Sequence, residues 1–265
     1  MSITPISKAK HYDRGLGKLL NFKHASFVQF ADLGFSAVFK GCLDLPFAIR
    51  NIENNLSLVA ILSLHEHLNV FSTKDGAWIG GYIPIVFQEY PLFIARNEKD
   101  PQNSLLCIDE TSDRFVSADE GTAFFDSEGK PSEDMLRIMD WVKSNHQDRQ
   151  KLNQACQQFK DFDMLRTWEL SVQIGSSRHD IEGLLRIDED KLNTLEDKQF
   201  IELRRSGALT VAYCQLLSMS HIRLFDRLYR KHEAYQNKNK QDINLGKEIF
   251  NESQIGDLNF NVEID

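Results

Sequence analysis

The sequence predicts an α+β fold: antiparallel β-hairpins form a sheet, and helices pack on it. Three observations predict it. Strand-like runs stand in pairs across polar turns, as in "LFIARN" with "SLLCIDE" and "WELSVQI" with "DIEGLLRID". A helix start stands at Ser132, with Glu133 and Asp134 in the first turn. From about residue 190 the apolar periodicity is helical.

In chain order, residues 1–20 are polar and basic and read as an N-terminal arm. Residues 25–49 begin with strand-like alternation at Phe27, Val28 and Phe30, then break at Gly34 and Gly41, leaving helix and strand both open. "LSLVAILSLHEHLNVFST" reads as two strands, 57–64 and 68–72, around a turn at His65–His67. Asp75-Gly76 marks another turn. Pro84 opens a short helix that Pro91 ends. The hairpin 92–97/104–110 follows. A helix over about 133–160 then turns Leu136, Met139, Val142, Leu152, Cys156 and Phe159 inward. In the second hairpin Trp168, Leu170, Val172 and Ile174 alternate strictly, with a turn at 175–179. Helices fill 190–235. The first ends on Arg204, Arg205 and Gly207, and the next shows Leu209, Tyr213, Leu216 and Leu217 on one face. The expected division is an arm over 1–20, an α+β domain over 21–235 in one or two subdomains, and a mobile polar tail over 236–265. Leu258, Phe260, Val262 and Ile264 alternate in that tail and suit an edge strand, set against docking on its own domain or disorder.

With 265 residues, 42% apolar and 26% charged, the chain can bury a substantial core. Its net charge of -8 disfavours phosphate backbones, so no nucleic-acid partner is expected, and the basic run 221–232 reads as a solvated helix face. Cys42, Cys107, Cys156 and Cys214 show no C-x-x-C spacing and read as reduced thiols of a cytoplasmic protein. The start has no apolar signal core, and no apolar run is long enough for membrane insertion.

Several blocks stand in one order: "WIGGYIP", "FQEYPLFIA", "LLCIDETSDRF", "GTAFFDSEGKPSEDM" and "IDEDKLNTLEDKQFIELRRSGALTVAYCQLLSMSHI". Together they resemble the SapC family of bacterial proteins over about residues 11–232. The family's Trp, Tyr-x-Pro and Tyr-Pro-Phe pattern is present as Trp78, Tyr82-Ile83-Pro84 and Tyr90-Pro91-Leu92, with the phenylalanine displaced to Phe93. The resemblance implies an accessory role. The family name refers to surface-layer protein export, and members resemble companions of tryptophan-halogenase-like and outer-membrane-receptor gene sets. It carries over no catalytic residue.

Candidate chemistry is sparse. His65 and His67 have the spacing at which two imidazoles on a strand share a face, but they sit at a turn without a third ligand, so no metal is assigned. Ser177, His179 and Asp180 are too close in sequence to converge as a triad. Asp109, Glu110 and Asp113 read as a solvated loop, and Cys107 and Cys214 as core thiols. No phosphate-cradling glycine motif is present, and no cofactor is expected. Trp78 and Tyr82 flank Gly80-Gly81 and are the candidate partner-binding rim, weighed against rings that cap the core. The expected function is a non-catalytic accessory that binds a protein or peptide client in a secretion or modification pathway, with homo-oligomerisation open. The alternative is an enzyme or cofactor-binding component of halogenase-like or hydroxylase-like pathways.

Overall fold

The computed structural model describes residues 2–52, 54–96, 104–174, 177–232 and 234. It is a mixed α+β structure in which the strands pair antiparallel. The largest described sheet runs in the order Leu165–Thr167, Leu184–Ile187, Phe47–Ile52, Asn55–Ile61, Phe30–Asp32. Its strand Asn55–Ile61 carries Leu58, Val59, Ala60 and Ile61 in succession, all buried, so apolar groups cover both of its faces.

One helix, Glu133–Asp161, serves two cores. Ser132 caps it by accepting from Met135 N at 3.1 Å. At about 1.5 Å per residue it is long enough to leave one sheet system and reach another. Its first turns bring Met135 and Val142 to a cluster with Leu16, Leu92, Leu106, Ile108 and Phe124. Its last turns bring Leu152, Ala155, Cys156 and Phe159 to the cluster around the largest sheet. The inner stripe begins at Met135, and Leu136 is exposed, because positions 135, 138, 139 and 142 share one face and residue 136 lies about 100° away.

Residues 2–20, within the segment expected as an arm, are woven into the fold. Ile3–Pro5 pairs with Ser104–Asp109, which pairs in turn with Leu92–Arg96; Arg14–Leu16 lies between Phe115–Ser117 and Thr122–Ala123. Three-residue strands are too short to show periodicity, so their partners alone reveal them. His11 anchors this segment. It is buried edge-on to Phe115 and Phe124, its Nδ1 accepts from Ser7 N, and its Nε2 meets Glu110 Oε1 at 3.1 Å.

The expected strand 68–72 is a buried loop carrying only a bridge from Ser72 to Trp78. Asn69 explains it. Its amide donates to Ala25 O at 3.0 Å and its carbonyl accepts from Phe71 N at 2.9 Å, so the backbone is satisfied without a ladder. The second hairpin is two nested pairings, Leu170–Ile174 with Ser177–Ile181 and Leu165–Thr167 with Leu184–Ile187; residues 177–179 belong to a strand rather than a turn.

The C-terminal region breaks into helices Glu189–Asn193, Asp197–Ser206 and Ala208–Ser218, a 3-10 turn Met219–Arg223, and a helical stretch 224–232. Gly207, at φ 80°, separates two of them, a left-handed position that disfavours any side chain. The buried face of Ala208–Ser218 is Ala208, Val211, Ala212, Gln215 and Ser218, while Tyr213 and Leu217 point outward. Small side chains let this helix approach the sheet closely. The tail 236–265, with its candidate edge strand, lies outside the described residues. Among the described residues no helix is long and apolar enough to cross a membrane.

Candidate functional site

The aromatic stretch 76–95 is built around Trp78. Gly76, at φ 82°, turns the chain into it. The indole stacks on Phe71 at 5.8 Å between centroids and meets Phe87 at 5.7 Å and Phe22 at 6.2 Å. Its Nε1 donates to Tyr82 O at 3.0 Å, closing the loop over Gly80-Gly81. A Cβ on Gly80 would lie 2.9 Å from that Nε1 and 3.0 Å from Phe71, so the close ring packing requires glycine. Tyr82 lies over Gly41, where an added Cβ would sit 3.3 Å from its ring, and burial pushes its phenol pKa up. Both rings are half-buried against the core; Ile79 between them is exposed.

Beyond Tyr82 lies an apolar surface that the sequence did not single out. The short helix Val38–Gly41 packs beside Ala208–Ser218, bringing the Cys42 thiol against Cys214. Large apolar side chains stand outward here: Phe39 on the first helix is 68% exposed, Leu43 in the turn after it 66% and Leu217 on the second 69%, with Tyr213 also exposed. The sequence groups Leu209, Tyr213, Leu216 and Leu217 on one face of this helix. The sheet accepts the small-residue face; of the periodic apolar residues Leu209 and Leu216 pack half-buried against the core, and Tyr213 and Leu217 are exposed.

The histidines regroup. His65 packs edge-on against His179 at 4.2 Å and against Tyr229 at 5.3 Å, while His179 lies parallel to Tyr229. Tyr229 is buried: its hydroxyl accepts from Leu64 N and meets Ser63 Oγ, each at 2.7 Å. Burial first, and then the neighbouring His179, lower the His65 pKa. His67 is exposed at φ 56° and takes no part in this cluster. Among the described residues no three His, Cys, Asp or Glu side chains stand together to hold one ion. Asp180, next to His179 on its strand, accepts from Arg178 Nε at 3.0 Å instead of orienting the imidazole.

The acidic group 109–113 is not a solvated loop at its first member. Asp109 is buried and accepts from Ser2 N at 3.0 Å, Thr111 N at 3.1 Å, Thr111 Oγ1 at 2.7 Å and Tyr90 OH at 3.3 Å. Burial pushes its carboxyl up, but the bonds from Thr111 and Ser2 outweigh that and hold it below the usual range. A four-bonded carboxylate of this kind holds chain segments together. Glu110 is held by His11 and Thr4. Tyr90 continues the network by stacking on His24 at 4.3 Å, and His24 Nε2 reaches Phe87 O at 2.9 Å. Cys107 and Cys214 are buried thiols, as their apolar neighbours in sequence implied.

The SapC family model matches residues 6–224. No curated protein and no solved structure matches the chain. The match spans most of the chain, across the aromatic stretch, the long helix and the helices that carry the exposed apolar surface, and the protein belongs to the SapC family.

Proposed function

We propose that the protein is a non-catalytic accessory that binds a protein or peptide client in a bacterial secretion or modification pathway. Family membership supports the accessory role. One observation carries the binding role: Phe39, Tyr213 and Leu217 are exposed on two helices packed side by side, and Leu43 is exposed in the turn that follows the first. Exposed apolar groups of this size, gathered on neighbouring elements, mark interaction surfaces. Tyr82, over Gly41 of the first helix, and Trp78, bonded to the Tyr82 carbonyl, form the adjoining edge; they hold the surface in shape more than they project from it.

The test is co-purification of the tagged full chain from its native host, comparing wild type with a Leu43→Ser, Leu217→Ser variant. Both side chains are exposed, so the variant keeps the fold. The expected result is a stoichiometric protein partner with wild type that is lost with the variant at unchanged melting temperature. A partner retained by the variant, or a wild-type protein that elutes alone at monomer mass, overturns the reading. A dimer mass that falls to monomer in the variant makes the occupant a second copy and overturns the client.

A further inference from the structure

The basic run 221–232 is left unused by the client reading, and the fold brings it to the client surface. His221 Nε2 meets the carbonyl of Cys42 at 3.0 Å, so the turn that carries Leu43 lies against Met219–Arg223. Arg223 Nε donates back to Ser220 O at 3.1 Å, just beyond Leu217. Leu224 is exposed and continues the apolar residues past Leu217. Lys40, beside Phe39, and Arg223 and Arg227, on either side of Leu224, are exposed, and among the described residues none of the three is paired with a carboxylate. Of the acids on these segments, Asp226 pairs with Arg230 at 3.0 Å, and Asp44 is set against Gly81, where an added Cβ would sit 2.5 Å from its Oδ1. The surface is apolar with a basic border, on a chain whose net charge is -8.

An apolar segment with negative charge fits such a surface. The chain carries one. Residues 248–265 contain Glu248, Glu252, Asp257, Glu263 and Asp265 and no lysine or arginine. Ile249 and Phe250 stand together, and Leu258, Phe260, Val262 and Ile264 alternate, which in an extended segment gives one apolar side. The tether is long enough. From Leu217 to His232 the chain is helical and rises about 25 Å. Residues 233–247 can span up to about 50 Å, at about 3.4 Å per residue. A tethered segment acts at an effective concentration on the order of millimolar, so docking that is weak between separate molecules still covers the surface.

We infer that residues 248–265 dock on the Phe39, Leu43, Tyr213 and Leu217 surface of their own chain, with their apolar side chains on it and their carboxylates toward Lys40, Arg223 and Arg227. The segment is an internal competitor that a client must displace. This rests on the reading of that surface as a binding face and adds its regulation.

The purified full chain, without client, tests it with the photo-cross-linker p-benzoylphenylalanine in place of Phe260. Irradiation in dilute solution should give a product of monomer mass, cross-linked in the peptides that hold Leu43 or Leu217. Leu43→Ser with Leu217→Ser should lower the yield about fivefold or more at unchanged melting temperature. Arg223→Glu with Arg227→Glu should lower it severalfold. Adding Glu252→Lys and Asp257→Lys to that variant should restore it, which a general loss of fold would not allow. Cross-links on other elements such as a strand edge, a product of dimer mass only, an unchanged yield in either surface variant, or no recovery with the reversed charges overturns the docking. Client loss on co-purification is read separately, so the tail can fail while the client reading holds, and the reverse.

Discussion

Gln215 Nε2 donates to the carbonyl of Phe47 at 3.1 Å, while Gln215 Oε1 accepts from Ile187 N at 3.0 Å. The register pairs Leu184 with Arg50 and Leu185 with Ile49, so continuing it would set Ile187 opposite Phe47. The side-chain amide is inserted where the ladder opens and stands in for the missing peptide bonds. Ser218 Oγ completes the arrangement by accepting from Phe47 N at 3.0 Å. Gln215→Leu keeps the volume but leaves a buried donor and a buried acceptor open. It should cost about 2–4 kcal/mol. Urea unfolding checks this, and a loss under about 0.5 kcal/mol, the level of a surface change, would contradict it.

The Glu89–Arg149 pair joins helix Ile85–Glu89 to the long helix at 2.7 Å. Burial raises the Glu89 pKa, and the Arg149 charge and hydrogen bond oppose that. Arg149→Met strands the carboxylate and should cost about 3 kcal/mol near neutral pH. The cost should shrink as pH falls, since a carboxyl whose folded pKa is raised is relieved by taking up a proton. A pH series of denaturation curves for wild type and variant reads this directly. A difference that is flat with pH would count against it.

His24, His65 and His146 all have lowered pKa values, each chiefly through burial. Arg114 assists for His24, His179 for His65 and Arg149 for His146. For a base held below its unfolded value, here 6.5, protonation favours the unfolded chain. The stability these groups leave intact above about 6.5 is therefore lost as pH falls through their folded values. Melting temperature should drop on moving from neutral pH to about 5, before most carboxylates titrate. His179→Gln should raise the His65 pKa in an NMR titration, and no change would show that their ring contact is electrostatically silent.

The four cysteines are buried. Burial pushes Cys156 up to about 12, and burial together with the adjacent Cys42 thiol pushes Cys214 up to about 12. Thiol reagent at pH about 8 should react slowly with the folded protein and with all 4 cysteines in denaturant. Rapid native labelling of one or more would reveal local opening.

Local chemistry alone determined a good part of this protein. The hairpin of Leu92–Arg96 and Ser104–Asp109, the Ser132 cap, the stop at Gly207 and the short helix between Pro84 and Pro91 follow from residues within a few positions of one another. Propensity and capping act over that range. The tertiary structure decided whatever depends on a distant partner. Ile3–Pro5 and Arg14–Leu16 became strands because Ser104–Asp109, Phe115–Ser117 and Thr122–Ala123 were there to receive them. Residues 68–72 stayed a loop because Asn69 found Ala25. Helix Ala208–Ser218 turned its small face inward because Gln215 had open backbone groups of Phe47 and Ile187 to fill. The same holds for the candidate sites. His65 lies near His67 in sequence and beside His179 in space, and the buried Glu89 carboxylate gained its ion pair only when Arg149 reached it from the long helix. Burial and long-range hydrogen bonds belong to the folded chain, and no window of sequence contains them.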